Sequence, residues 1–226
     1  MGHFWEVTLF NGMQVNLNTL IMVWAAMLVI LALAFLSTRR LQLVPSKAQV
    51  VSEGFFDVCR SITMSTAGKR GDGFLFFIGS LFLFILIANL MGQLPLRLIH
   101  IPHGELIAAT GDINTTTALA LLTLLMYLGY GIKKKGFRYF KHYIQPNIFF
   151  APLNLLEDIT RPGSLLIRLY FNILVGEILS GIALSVTPWV LPGMVIILEL
   201  FVAVVQAYIF AILSSVYISL LSEEHH

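Results

Sequence analysis

The stretch Ser164-Leu-Leu-Ile-Arg168-Leu-Tyr-Phe-Asn172-Ile-Leu-Val-Gly-Glu177 places a single arginine inside a run of apolar residues that is typical of a membrane helix. A guanidinium near the middle of a bilayer costs about 2.5 to 3.5 kcal/mol on insertion scales. Arginine keeps its proton at any relevant pH, so Arg168 cannot escape this cost by becoming neutral. It therefore needs an anion, a water-filled cavity or both, and this requirement indicates ion movement through a membrane.

The composition also indicates a membrane protein. The chain has 226 residues, of which 58% are hydrophobic and 12% are charged, whereas about 25% of the residues in soluble domains are charged. The one cysteine, Cys59, excludes a disulfide within the chain and belongs to no metal-binding motif. We therefore predict no metal, no cofactor and no nucleic-acid partner. The N-terminal residues have no signal-peptide or transit-peptide pattern, which indicates a bacterial protein or one made inside the organelle that uses it.

Long apolar runs predict an all-α integral membrane protein that forms a single transmembrane domain. Runs of about 20 residues are long enough to cross a bilayer as helices. Residues 45–66 differ, because apolar Val51, Phe55 and Cys59 recur at helical spacing and Glu53 lies on the opposite side. This pattern predicts one amphipathic helix on the membrane surface. The five predicted crossings are residues 17–36, 74–96, 113–132, 148–187 and 189–222.

The basic residues give these crossings a direction. By the positive-inside rule, the side with more lysine and arginine is cytoplasmic, stromal or matrix. We therefore expect the N-terminus outside and the C-terminus inside, in a bacterial cell membrane or an energy-transducing organelle membrane. The residues that set this direction are Arg39, Arg40, Lys69, Arg70 and the run from Lys133 to Lys141 on one side, against Arg97 on the other.

The last two apolar segments are too long to cross a bilayer upright. A single helix over residues 148–186 would run about 58 Å, and the hydrocarbon layer is only about 30 Å thick. Such a helix must be steeply tilted or broken, and Arg161-Pro-Gly163 offers a candidate break or kink. We therefore predict that the last two helices are long, tilted and antiparallel. Together they would form a slanted surface that suits a large, curved partner inside the bilayer.

Several polar residues interrupt these two helices. Arg168 and Asn172 are four residues apart and share a helix face. Glu177 lies about half a turn around and about 13.5 Å further along, so it faces away from the partner of Arg168. In the last helix, Glu199 and Gln206 are seven residues apart and nearly aligned.

The predicted direction puts acidic residues at two depths. Glu177 and Glu199 fall in the outer half of the membrane, and Glu157 and Asp158 fall near the inner mouth. Carboxylates open to one side can pass protons by titrating, whereas Arg168 cannot release its proton and blocks a continuous relay. Protons would then cross only if a third, mobile carboxylate carried them between two half-channels. No such carboxylate is evident in this chain, so a partner subunit must provide it.

At these residues the sequence resembles subunit a of the membrane (Fo) sector of rotary F-type ATP synthases. The resemblance covers residues 44–226 most strongly, and the arginine motif together with the downstream glutamine is its most specific part. The matching segments are Leu166-Ile-Arg-Leu-Tyr-Phe-Asn-Ile-Leu-Val-Gly-Glu177, Asp112-Ile-Asn-Thr-Thr, Tyr143-Ile-Gln-Pro, Pro152-Leu-Asn-Leu-Leu-Glu-Asp, Gln206-Ala-Tyr-Ile-Phe210 and the Ser-Glu-Glu-His tail.

The resemblance implies a role for each of these residues. Arg168 would be the stator arginine that faces a ring of c subunits, and Asn172 and Gln206 would line that contact. Glu177 and Glu199 would belong to the outer half-channel and Glu157 to the inner one, with Asp112 a further residue of the ion path. The implied partners are the c-subunit ring, the peripheral-stalk b subunits, the lipid bilayer and, indirectly, the catalytic head, where ATP chemistry would take place.

The chain departs from the usual family pattern at two places. Tyr170-Phe171 stands where Phe-Gly is common, which removes a glycine and changes the packing near the ring. Glu199 stands where some members carry histidine, so a proton relay there would run from carboxylate to carboxylate.

The residues also admit structural roles. Arg168 could snorkel toward the membrane surface or pair with a neighbouring helix, and Glu177 and Glu199 could form a hydrogen-bonded pair. Asn172 and Gln206 could join helices. Glu157 and Asp158 could form an ordinary salt bridge with Arg161. Asp112 could cap a helix, and His100 and His103 could be solvated loop residues.

One other function uses the same charges. A self-contained secondary ion transporter would combine inverted repeats with unwound helices around a central binding site. We find no repeat between the first three predicted crossings and the last two.

Overall fold

The computed structural model describes residues 6–9, 13–39, 46–93, 108–136, 151–187 and 190–222. Within these ranges it contains a two-stranded sheet and six α-helices, and the all-α membrane fold is confirmed. The strands are β1 (Glu6–Leu9) and β2 (Met13–Asn16), and the helices are α1 (Leu17–Thr38), α2 (Lys47–Ala67), α3 (Leu75–Gln93), α4 (Ile113–Lys135), α5 (Ala151–Val186) and α6 (Leu191–Ser222). Short 3-10 turns at Gly68–Gly73 and Ala109–Gly111 precede α3 and α4.

The strand pair was not predicted. β1 and β2 are antiparallel, with Glu6 opposite Asn16 and Leu9 opposite Met13. The sequence did carry a signal, because Asn11-Gly12 separates two short segments with alternating polarity, and Asn-Gly is a strong hairpin marker.

Five helices are long and apolar enough to cross a membrane, namely α1, α3, α4, α5 and α6. Of the tilt and the break left open for α5, the break is not formed, because one helix of 36 residues continues through Pro162. At 1.5 Å per residue it is about 54 Å long, which exceeds the hydrocarbon thickness of about 30 Å. A helix of this length must tilt to keep its apolar residues within the bilayer.

The remaining helix, α2, is the amphipathic one. Its N-cap is Ser46, whose hydroxyl accepts a hydrogen bond from the Gln49 N–H. The inward side carries Cys59 and Ile62, which are each 2% exposed, and Phe55, whose ring stacks on Phe82 of α3 at 5.3 Å. Val51, which was predicted to share that side, is instead exposed. The buried face is therefore rotated and narrower than the sequence pattern indicated.

The α6 helix passes through the main core. Its residues Ala207 and Ala211 are fully buried, and small residues of this kind let helix backbones approach closely within a membrane. Two contacts fix the direction of α6 relative to α5. The Arg161 guanidinium lies 5.7 Å from the ring of Tyr217, and Ser180 bonds to Glu199. From the first contact to the second, the residue number increases along α5 and decreases along α6. The two helices are therefore antiparallel, as predicted.

Some sequence predictions concern residues outside the described ranges. These are Arg40, Arg97, His100, His103, the segment Tyr143-Ile-Gln-Pro, residues 137–141 of the basic run and the tail after Ser222. The direction of the crossings relative to the two sides of the membrane stays a prediction.

Candidate functional site

An open cleft of about 430 Å³ lies between α5 and α6. It brings together four of the residues that the sequence singled out, and α3 adds a fifth polar residue. Apolar side chains and Gly176 complete the lining. The polar residues of the cleft are Gln93, Arg168, Asn172, Glu199 and Gln206.

The cleft extends along the helices rather than across them. On α5 its lining runs from Arg168 to Leu179, and on α6 it runs from Leu198 to Gln206. From residue 168 to residue 179, α5 rises about 16.5 Å along its axis, which is roughly a third of the length of the helix. Arg168 lies at one end of the lining and near the midpoint of α5. The cleft therefore leads from the middle of the two helices toward the end of α5 and the start of α6.

Arg168 is exposed on the face of α5. Within the described ranges it forms no hydrogen bond and no ion pair. The structural alternative of a salt bridge to an acid of its own chain is therefore not observed among those residues. A guanidinium in this position is available to an anion that approaches α5 from outside the chain.

Glu199 is held against α5 by two neighbours. The Ser180 hydroxyl donates a hydrogen bond of 2.9 Å to Glu199 Oε1. Gly176 makes room for the same carboxylate, since a Cβ at position 176 would lie 2.9 Å from Glu199 Oε1. The cleft thus presents one carboxylate and one guanidinium, on different helices and at different heights.

Gln206 brings an unpaired donor into the cleft. The residue is 6% exposed, and its amide nitrogen Nε2 has no hydrogen-bond partner among the described residues. Leaving such a group unsatisfied costs about 1 to 3 kcal/mol. The cleft carries five polar residues and is large enough for water, which would satisfy this donor.

Glu177 follows Gly176 but does not line the cleft. This agrees with the predicted half-turn between Glu177 and Arg168. Glu177 is half-buried and does have a polar or electrostatic contact within the structure.

A second polar cluster joins α4, α5 and α6 near the start of α5. Arg161 donates to Glu157 Oε1 at 2.5 Å and to the Tyr127 hydroxyl at 2.9 Å. Tyr127 in turn donates to Asp158 Oδ1 at 2.5 Å, which lies 3.7 Å from Arg161 Nη1. The guanidinium also lies between the rings of Tyr127 and Tyr217, at 5.8 and 5.7 Å. Of the two interpretations left open for Glu157 and Asp158, the ion pair with Arg161 is therefore formed.

Asp112 is the N-cap of α4. It accepts a hydrogen bond of 2.8 Å from the Asn114 N–H, and its other oxygen accepts from Asn16 at 3.0 Å and from Thr19 at 2.9 Å. Partial burial opposes ionisation, but these hydrogen bonds outweigh it, so the pKa of Asp112 lies below its ordinary value. The capping role is thus formed, and Asp112 is not part of the cleft.

Sequence reasoning missed three residues of this site. Gln93 was not selected, because its position beside the cleft depends on how α3 packs against α5 and α6. Gly176 and Ser180 carry no charge, so the pattern gave no reason to select them. Among the described residues, no group of three His, Cys, Asp or Glu side chains could hold a metal ion.

The comparison with known protein families places all of these residues in one match. A family model described as ATP synthase A chain matches residues 20–219. The match includes the whole cleft, the Arg161 cluster and Asp112.

Proposed function

The chain belongs to the family of ATP synthase A chains, and on this premise we propose that it is the stator subunit whose two half-channels carry ions to and from a rotor, with Arg168 as the barrier between them. Membership alone makes it a multi-pass membrane subunit of the ATP synthase with a part in ion translocation, and not the catalytic part of that complex. Beyond membership, we propose which residues form the two half-channels and which role each residue has.

The observation that carries this proposal is the position of Arg168 at one end of the cleft. The cleft begins about two helix turns before the end of α5 and carries polar side chains as far as the middle of the helix pair. A cation that never releases its proton stands where the cleft stops. Protons could therefore reach the level of Arg168 without passing beyond it.

A carboxylate on the rotor would complete the mechanism. Beside Arg168, at about 4 Å and an effective dielectric constant near 20, an ionised carboxylate is stabilised by about 4 kcal/mol. Protonation from the cleft removes this attraction and lets the neutral group move away into the lipid. Each charge that crosses the membrane yields about 2.3 kcal/mol per 100 mV, and this energy drives the rotation.

Each site residue has a place in this mechanism. We assign Glu199 to the outer half-channel as the proton-exchanging group, with Glu177 behind it. Asn172 and Gln206 flank Arg168 and hold water at the rotor contact. Glu157 belongs to the inner half-channel and Asp112 to the outer side.

The partners follow from the same assignment. The exposed stripe of α5 around Arg168 would face the c-subunit ring, because that ring carries the mobile carboxylate. The peripheral-stalk b subunits would hold the chain against the rotation, and the catalytic head would be connected only through the other subunits. The rival hypothesis of a self-contained transporter requires unwound helices, whereas α5 and α6 are continuous over their described lengths.

Replacing Arg168 tests the proposal. In sealed vesicles that carry the whole complex, Arg168→Ala should abolish ATP synthesis driven by an ion gradient and leave ATP hydrolysis by the head intact. Arg39→Ala removes an exposed arginine at the end of α1 and should leave both activities unchanged. Normal ATP synthesis by Arg168→Ala would refute the proposal.

A further inference from the structure

We infer that Gln93 of α3 is a further residue of the ion path, whose amide forms a third wall of the cleft and holds water between its open end and Glu199. This inference rests on the proposed function and extends it to a helix that contributes none of the charged residues of the cleft.

The position of Gln93 distinguishes it from the other lining residues. Each of the other described residues that line the cleft belongs to α5 or α6, and Gln93 alone comes from α3. It is the last residue of that helix and is half-buried. The cleft is therefore closed on its third side by a polar side chain rather than by an apolar one.

Two contacts fix the end of α3. Gly92 lies against Ala108 so closely that a Cβ at position 92 would be 2.3 Å from the Cβ of Ala108. One turn earlier, the fully buried Asn89 accepts a hydrogen bond of 2.6 Å from the Thr110 hydroxyl through its Oδ1 atom. The helix end cannot shift without breaking these contacts, so Gln93 is held beside the cleft.

The amide of Gln93 can form hydrogen bonds to water but cannot take part in a proton relay. A primary amide offers two donors and one acceptor and does not titrate, so it can orient water without trapping a proton. In the same cleft, the buried Nε2 atom of Gln206 lacks an acceptor among the described residues. The volume of about 430 Å³ far exceeds the roughly 10 to 15 Å³ of such space that one water needs. Amides from two helices can therefore hold a chain of water molecules that ends at Glu199.

Thiol labelling tests whether water reaches Gln93. The experiment uses vesicles with the whole complex and a Cys59→Ala background, in which Gln93→Cys, Asn172→Cys and Ile21→Cys are exposed separately to a membrane-impermeant thiol reagent. Thiols react as thiolates, which form in water and not in lipid. Asn172 lines the cleft, whereas Ile21 is an exposed apolar residue of α1 away from it. We expect labelling at positions 93 and 172 and none at 21.

Three other outcomes would overturn the inference. Labelling at 172 but not at 93 would exclude Gln93 from the water path and leave the proposed function standing. No labelling at either position would contradict the water-filled half-channel itself. Equal labelling at 21 would mean that the reaction does not depend on the cleft.

A pair of substitutions tests the role in transport. Gln93→Leu keeps the approximate size of the side chain and removes its hydrogen bonds, whereas Gln93→Asn keeps the amide. We expect Gln93→Leu to slow ATP-driven proton pumping by about two- to tenfold, the rate equivalent of one hydrogen bond. Gln93→Asn should recover most of the rate, and both variants should retain the wild-type thermal unfolding temperature. Pumping by Gln93→Leu at the wild-type rate would overturn the inference.

Discussion

Ser180 on α5 and Glu199 on α6 are joined by a hydrogen bond of 2.9 Å across the interface of the two long helices. The bond fixes the carboxylate at a defined height in the cleft, beyond Arg168 along α5. The two helices therefore contribute jointly to the one carboxylate that lines the cleft.

Removing the Glu199 carboxylate should slow proton uptake through the cleft. We expect Glu199→Gln to reduce ATP-driven acidification of vesicles strongly, and Ser180→Ala to reduce it less, because the carboxylate remains but loses its donor. Fluorescence quenching of a pH-sensitive dye measures both. Ser185→Ala is the control, since Ser185 is exposed and bonds only within its own helix turn. Unchanged pumping by Glu199→Gln would make Glu199 a structural residue.

A side chain at position 176 should displace the same carboxylate. A Cβ there would lie 2.9 Å from Glu199 Oε1, so Gly176→Ala requires Glu199 to move. We expect slower pumping by Gly176→Ala and partial recovery when Glu199→Asp is added, because the shorter side chain leaves space for the methyl group. Non-additive effects of this kind are typical of residues in contact.

The control for that substitution is Gly181→Ala, because no atom lies within 4 Å of a Cβ built at position 181. If Gly176→Ala and Gly181→Ala pumped protons at equal rates, the contact between Gly176 and Glu199 would not affect pumping.

Asp112 should stabilise the protein in a pH-dependent way. Loss of an N-cap costs about 0.5 to 2 kcal/mol, so Asp112→Ala should lower the free energy of unfolding by a comparable amount at neutral pH. The pKa of Asp112 is depressed in the folded state, so the charge contributes stability above the unfolded value of about 3.9. This contribution disappears as the pH falls through the lower folded value.

Thermal unfolding of the detergent-solubilised protein between pH 3 and pH 7 measures this effect. The difference between wild type and Asp112→Ala should be largest near pH 7 and should shrink toward pH 3. A difference that stayed constant with pH would mean that the carboxylate charge contributes nothing.

The five membrane helices were predictable because each consists of a long apolar run that only a membrane helix explains. The start of α1 at Leu17 and of α4 at Ile113 coincides with the predicted starts. The sequence could not decide between a tilt and a break at Pro162, because proline is tolerated when neighbouring groups support the helix. Here Arg161 contacts residues of α4 and α6.

Only those features of the site that depend on a single helix were predictable from the sequence. Helical spacing alone placed Arg168 and Asn172 on one face and turned Glu177 away. It could not show that α3 ends beside that face, which is why Gln93 was missed. Nor could it decide between roles for Glu157, Asp158 and Asp112, since a salt bridge or a cap depends on which neighbours the fold brings close.

Passive ion flux tests most directly whether Arg168 is a barrier. In sealed vesicles that retain the catalytic head but contain no nucleotide, the rotor cannot turn. Any ion flux through the complex is then a leak past the stator. We expect vesicles with wild type or Arg39→Ala to retain an imposed pH gradient and vesicles with Arg168→Ala to dissipate it faster. Arg168→Ala vesicles that were as tight as wild type, and that made ATP at the wild-type rate once nucleotide was supplied, would contradict the role of Arg168 as a barrier.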